Sequence, residues 1–480
     1  MITPIQSPVA NPQSPLPIPH SGFHILQYWD TPFFVEILLL ALTAPVLYFP
    51  GRFQAAEIAF AIGILAAGWF WRRLTIGVWF RRTPADWPIF FLFAVMLPIA
   101  VWAAPGALRE QYAIPRTLIL IWNFFLFWTI VSHAGRRREL FNLCVAGFGG
   151  IGVGIAVAAL FGTQWSNKFP VIGPLLDRLP KPLLGVFAGA EDGLNPNQLA
   201  GTLLYVLPLL VALAGYTFLH RRKEWVNWLP AGVAAAIIGT VLILSQSRGA
   251  LLGMGVGTAS MLLVNWRWGR WLLLAGGLAV LLGLTVVPLD ALSSSLETAE
   301  NVQEVAGSLT LQGRIEIWSR ALYGIQDFPF TGMGLGSFRR VVNLLYPLFT
   351  IAPDYDIGHA HNFFLQMALD FGIPGLLALL VLYMMAGATI ASVWKRGDKV
   401  WASALLGVLV AQTVYSMADA VAMGSKVNFL FWWLFALIFA VGKMQRQPST
   451  LDYSRATPLE EISLSNGATR PFPTTLRPTG

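Results

Sequence analysis

Runs of mostly apolar residues recur along this chain near 32–50, 55–71, 87–104, 117–133, 140–163, 198–219, 228–246, 249–265, 271–288, 365–394, 400–423 and 427–442. Crossing a hydrocarbon core roughly 30 Å thick takes about 20 such residues as a helix. Lipid offers the backbone no hydrogen-bond partners, so each run is predicted to be helical. The pattern predicts an all-α, polytopic membrane protein of about 12 transmembrane helices. Two connections are long, 164–197 and 289–361, and loops beyond about 15 residues are commonly functional or disordered. The second carries Trp318, Phe328, Phe330, Phe338, Leu344, Tyr346 and Phe349. Such a loop is expected to contain short helices and to fold onto the bundle as a partial cap. The implied organisation is a tail over 1–31, N-terminal helices over 32–227, a core over 228–394 that includes the 289–361 loop, C-terminal helices over 395–442, and a disordered tail over 443–480, rich in Pro, Thr, Ser and Arg. No internal repeat and no inverted pair of broken helices of the transporter kind is visible.

Composition supports the same solvent: 56% hydrophobic and only 12% charged residues leave too little polar surface to cover a soluble globule. The basic balance, net +8, does not read as nucleic-acid binding, because the cations fall in short clusters between apolar runs. Arg72, Arg73, Arg81 and Arg82, then Arg136 to Arg138, Arg221 to Lys223, Arg267 and Arg270, Lys395, Arg396 and Lys399, and the C-terminal tail hold 20 of the 32 Lys and Arg on one set of alternating connections. By the excess of positive charge in cytoplasmic loops, both termini face the cytoplasm, and the two long loops face outward. The tail over 1–31 has no Lys or Arg and does not resemble a cleavable signal peptide. The single cysteine, Cys144, lies in an apolar run and reads as packing.

Three places on the predicted outer face carry candidate chemistry. In Ser245-Gln246-Ser247-Arg248-Gly249-Ala250 one arginine interrupts an apolar hairpin. A charge at that depth either snorkels to the headgroups or faces a cavity or partner. Leu311 to Phe328 has the periodicity of an amphipathic helix. At 100° per residue, Ile315, Trp318, Ala321, Leu322 and Ile325 share a stripe that includes Arg314, while Glu316 and Arg320 point away and read as solvated. Gly358-His359-Ala360-His361-Asn362 leads into the tenth segment. Two histidines two apart, with Asp354 and Asp356 before them, would need a third ligand at metal-site spacing, and none follows, so no metal is expected. His361 shares a helix face with Leu365 and Ala368, which makes it the better buried candidate. Imidazole chemistry suits a general base. Gly332-Met333-Gly334-Leu335-Gly336 lacks the βαβ context of a dinucleotide fingerprint and reads as a tight turn where the loop meets the bundle.

Taken in order, ILSQSRGALLG, GRIEIW, DFPFTGMGLGSF and HAHNFFLQMALDFGIPGLL resemble the successive signatures of the O-antigen ligase and O-antigen polymerase superfamily. The resemblance covers about 195–395 and includes Asn195-Pro196-Asn197-Gln198. It implies a metal-independent, inverting membrane glycosyltransferase of GT-C-like helical fold, in the bacterial cytoplasmic membrane, with its active site facing outward and no cofactor. The implied partners are an undecaprenyl-pyrophosphate-linked glycan donor, a lipid or glycan acceptor, and membrane lipids. Carried over by position, the catalytic residues are Arg248, Arg314 and His361. Asn362, His359, Asn197 and Arg339 are expected to bind substrate.

The residue types fit that chemistry. Arginine forks hold a departing pyrophosphate bidentately, and a histidine takes the proton of the attacking hydroxyl. Asn362 would orient His361 or a sugar hydroxyl. Within the superfamily, ligases and polymerases differ in acceptor, and a polymerase reading stays open. A branch of this pattern labelled as a bicarbonate transporter makes a transporter the alternative of a different class. That reading would need coupled charges at mid-membrane, for which Glu57 and Asp419 are the candidates, neither with an obvious partner in the sequence.

Overall fold

In a computed structural model, the described residues are 30–444 except 166–172, 188–189, 221–224, 267, 270, 272–273, 276–277, 279–310, 350 and 352–355. They form helices and loops, with a single isolated bridge between Thr163 and Leu194. We number the helices α1 (Thr31–Tyr48), α2 (Ala55–Ile76), α3 (Asp86–Ala103), α4 (Gly106–Ala134), α5 (Arg138–Gly162), α6 (Pro196–Leu203), α7 (Leu207–His220), α8 (Trp225–Leu244), α9 (Arg248–Asn265), α10 (Leu311–Asp327), α11 (Phe338–Leu345), α12 (Phe363–Lys395), α13 (Lys399–Ser416) and α14 (Phe429–Met444). Eleven of the twelve expected segments coincide with helices, and the ninth, 271–288, lies largely outside the described residues. Among the described residues six helices are long and apolar enough to cross a membrane, or seven if the bent pair α6–α7 is one span, which supports the polytopic architecture.

Aromatic packing builds the centre. Phe127 and Trp128 of α4 meet Trp432 and Phe439 of α14 and the α2–α3 aromatics Phe80 and Phe90. Elsewhere small residues set the spacing, as between close-packed membrane helices. Gly253 and Gly257 of α9 lie so near α13 that an added Cβ would stand 2.7 Å from the Ala411 carbonyl oxygen and 2.6 Å from that of Gly407. The outward faces of α1 and α2 leave Leu38, Leu42, Phe60, Phe70 and Leu74 exposed, as expected of a surface whose solvent is lipid.

One helix end is pinned by charge. Glu36 of α1 is buried with Arg72 of α2, which it pairs, and it also accepts from Thr129 (2.8 Å) and meets His133 Nε2 (2.9 Å) of α4. Arg72, read from the sequence as an exposed orientation charge, is therefore 1% exposed and structural. Glu57, the other acid weighed for a transporter, is exposed and closes a capping box by accepting the Gln54 N–H at 2.7 Å.

At the opposite end of α4 the long loop folds onto the bundle. Helices α10 and α11 and the strap 356–362 close a small core of Ile317, Ala321, Met333, Phe338, Val342 and Leu369. The buried stripe of α10 runs through Gly313, Ile317, Ala321 and Gly324, one position round from the predicted stripe, and Leu322 is 51% exposed. The face assigned to solvent is covered as well. Glu316 accepts the Phe349 N–H at 2.6 Å, and Arg320 donates to the Pro347 carbonyl at 2.9 Å with its guanidinium over the Phe349 ring. The loop also inserts into α12, which breaks at Gly372 (φ 70°, ψ 179°) ahead of Pro374. The backbone groups released by the break find partners in the loop: Met333 donates to Leu369 O and Ile373 to Pro329 O, both at 2.7 Å. Gly372 presses on the Phe330 carbonyl, where a Cβ would stand 2.5 Å from the oxygen. The Gly332–Gly336 turn is thus the joint between loop and bundle that its sequence predicts.

Candidate active site

The strap His359-Ala360-His361 enters α12 through Asn362, whose Oδ1 caps the helix by accepting from Phe364 N and Leu365 N at 3.0 Å. Its Nδ2 donates to the Met417 carbonyl at 3.0 Å. Asn362 therefore has a structural role at the helix start, with its oxygen and one amide N–H engaged. His361 adopts φ 47°, a left-handed conformation unusual for a residue with a Cβ. The cap on one side and a bond from its own N–H to His359 Nδ1 (3.1 Å) on the other hold it there.

That geometry aims His361 Nδ1 at Asp419 Oδ1, 3.2 Å away. Asp419 stands in the 417–428 connection after α13, because that helix stops at Ser416 instead of continuing to 423 as its hydropathy predicts. The carboxylate also accepts the Ala420 N–H at 2.9 Å. Since Asp419 is an acceptor, His361 presents Nδ1–H to it and keeps a lone pair on Nε2. Asp419, weighed from sequence as a transport charge without a partner, is instead the orienting partner of the histidine.

His359 is no bystander. Its ring lies 4.5 Å from that of His361, its Nε2 3.8 Å from Asp419 Oδ1, and the Gln198 amide 3.2 Å from the same nitrogen. Burial, the neighbouring His361 ring and the guanidiniums of Arg116 and Arg314 lower its pKa to about 4, against the opposite pull of Asp419. Burial alone would raise the Asp419 pKa, but the His361 hydrogen bond and the positive field of His359, His361 and Arg314 outweigh it and hold the carboxyl well below its ordinary range.

Arg314 is half-buried, and its Nε is buried without a hydrogen-bond acceptor. Its field reaches Asp419, His359 and Tyr415, which places it beside the histidines. Arg248 is exposed at the first turn of α9. The adjoining Gly249 faces Tyr415 and Ala418, 3.8 Å from a Cβ at that position, so the Arg248 turn abuts the connection that carries Asp419. Asn197 is buried, and its carbonyl accepts the Tyr415 hydroxyl at 2.8 Å. Arg339 is taken up by an ion pair with Asp356 and lies over the Tyr112 ring. Asp354 lies outside the described residues.

His359, His361 and Asp419 offer three ligand atoms within 4.8 Å of one another, so a third ligand invisible from local spacing is supplied by a distant segment. The surroundings suit an anion better than a divalent cation. Arg314 and Arg116 both act on this cluster through their positive charge. Sequence reasoning missed Gln198 as a side-chain partner and Asp419 as a site residue. The available signal was an acid inside an apolar run, which by default marks function.

No curated protein matches the chain. Residues 233–380, which carry the Arg248 turn, the Arg314 helix, the glycine turn and the histidine strap, match the family model described as O-antigen ligase, a match that supports assigning this membrane protein to the O-antigen ligase and polymerase superfamily.

Proposed function

We propose that the protein transfers a glycan from an undecaprenyl-pyrophosphate carrier to an acceptor hydroxyl at the outer face of the cytoplasmic membrane, without a metal and with inversion. The observation that carries this reading is the Asp419–His361 pair, which engages Nδ1 of the ring and leaves Nε2 for the acceptor hydroxyl. His361 Nε2 removes the proton of the acceptor hydroxyl as its oxygen attacks the anomeric carbon. The bond from that carbon to the pyrophosphate oxygen breaks on the opposite side, and the leaving group departs with the electron pair. Asp419 stabilises the imidazolium that forms. Arg314, half-buried, and Arg248, at the exposed first turn of α9, hold the departing pyrophosphate.

Purified protein in nanodiscs, given radiolabelled lipid-linked glycan and acceptor, tests the proposal. His361→Ala is expected to slow transfer by at least about 100-fold with donor binding kept, as for loss of a positioned base. Near-normal turnover of that variant would overturn the mechanism. Deleting the gene in the host separates the two activities of the superfamily: accumulated long lipid-linked glycan marks a ligase, and single repeat units mark a polymerase.

A further inference from the structure

Arg116 stands near the start of α4, at the end of the bundle where the loops gather, and no sequence motif singles it out. Two backbone turns close on it from different parts of the chain. At Gly336 (φ 74°) an added Cβ would stand 2.8 Å from Arg116 Nη1, and at Gly424 (φ 71°) it would stand 2.7 Å from the Arg116 Cβ and carbonyl oxygen. One turn belongs to the loop joint and the other to the connection that carries Asp419. Only residues without a side chain allow backbone so near an arginine, so both turns are shaped around it.

Despite this enclosure Nη1 has no hydrogen-bond acceptor and is fully buried. A buried donor left unpaired is costly, and more so when it is charged. The nearby acid does not resolve it. Asp370 is within electrostatic reach and offsets part of the charge, but its Oδ1 accepts from Gly336 N (2.8 Å) and Gln366 Nε2 (3.0 Å), its Oδ2 is itself buried without a partner, and among the described residues it makes no ion pair with Arg116. Arg116 is repelled by Arg339 and bears on His359 from within the same site as Arg314. Two guanidiniums that act on one cluster, each with a buried unpaired nitrogen, are arranged for a multiply charged anion.

We propose that Arg116 is a third guanidinium of the donor site, binding the diphosphate of the lipid carrier through Nη1. The inference rests on the donor reading above and adds to it a residue outside the matched family region. A diphosphate offers enough oxygens for both Arg314 and Arg116, which lie on different elements, α10 and α4. Its arrival therefore ties the loop to the bundle across the active site.

The test is binding of undecaprenyl diphosphate without glycan, and of undecaprenyl monophosphate, to full-length protein in nanodiscs. Arg116→Gln is expected to weaken diphosphate binding at least about tenfold, as for loss of a charge-assisted donor, with a smaller effect on the monophosphate. Arg116→Lys is expected to recover the binding only in part, since lysine keeps the charge without the fork. Helical circular dichroism and thermal melting establish folding, and if the Gln variant does not fold, the Lys variant decides. If both variants fold and bind the diphosphate within twofold of wild type while Arg314→Lys loses it, the inference fails and the donor reading stands. If wild type itself does not bind the diphosphate, both fail.

Discussion

Replacing Asp419 by Asn tests the site at its least obvious residue. The side chain keeps its size and an oxygen to accept the Ala420 N–H, but loses its charge beside His361. During transfer His361 becomes an imidazolium with Nδ1 3.2 Å from the Asp419 oxygen. At an effective dielectric of 20, opposite unit charges at that separation attract by about 5 kcal/mol. The His361 side chain is 15% exposed, so water screens part of this, leaving about 3–4 kcal/mol. At 1.36 kcal/mol per decade, kcat is expected to fall by about 10² to 10³. The donor term moves the other way: removing a negative charge near Arg314 leaves KM for the lipid-linked donor unchanged or lower. The assay is steady-state transfer of radiolabelled glycan in nanodiscs at matched folded protein, with donor and acceptor each varied to saturation. A variant whose kcat stays within threefold of wild type, or whose loss lies wholly in donor KM, refutes the argument that Asp419 orients and charges the base.

Arg314→Lys and Arg248→Lys are each expected to lower transfer by at least about tenfold because lysine cannot make a bidentate fork to phosphate, whereas Arg320→Ala is expected to loosen the loop by about 1 kcal/mol through its lost Pro347 bond with little effect on chemistry; protease sensitivity of the loop and initial rates check the pair. Gly372→Ala introduces a Cβ at φ 70° and 2.5 Å from the Phe330 oxygen, and is expected to lower stability by at least about 2 kcal/mol, read as a drop in Tm. Selective histidine labelling is expected to show His359 titrating near pH 4 instead of near 6.5. The unfolded chain takes up this proton first, so His359 adds no pH dependence above about 6.5 and costs stability progressively as pH falls from there toward about 4. Transfer is expected to survive prolonged chelation with EDTA, because Arg314 and Arg116 disfavour a cation among His359, His361 and Asp419; loss restored by zinc would reverse that assignment.

Local hydropathy made most helices legible because a segment in lipid must be apolar and internally bonded regardless of its neighbours. Its errors have identifiable causes. The run over 400–423 stays apolar past Ser416, yet the chain leaves the helix there to bring Asp419 to the histidines. The α10 stripe was displaced because Gly313 and Gly324, scored as neutral, pack against the bundle while Leu322 does not. Arg72 looked like its exposed neighbours because a charge cluster does not say which member meets Glu36. The break in α12 was signalled by Gly372 and Pro374, but only the inserted loop carbonyl of Pro329 explains how the membrane tolerates it.

By itself the sequence determined the solvent of this protein and the positions of most of its helices, and it singled out Arg248, Arg314 and His361 as candidates, since each rests on residue type and spacing along a short stretch. Only the tertiary structure shows that Asp419 and Gln198 meet the two histidines, that Arg116 lies under the Gly336 and Gly424 turns, and that Asn362 and Arg339 have partners in the Met417 carbonyl and Asp356. Asp419 lies 58 residues from His361 and Gln198 lies 161 from His359. Partnership at that separation depends on where helices end and which backbones can touch, and those are properties of the packed bundle.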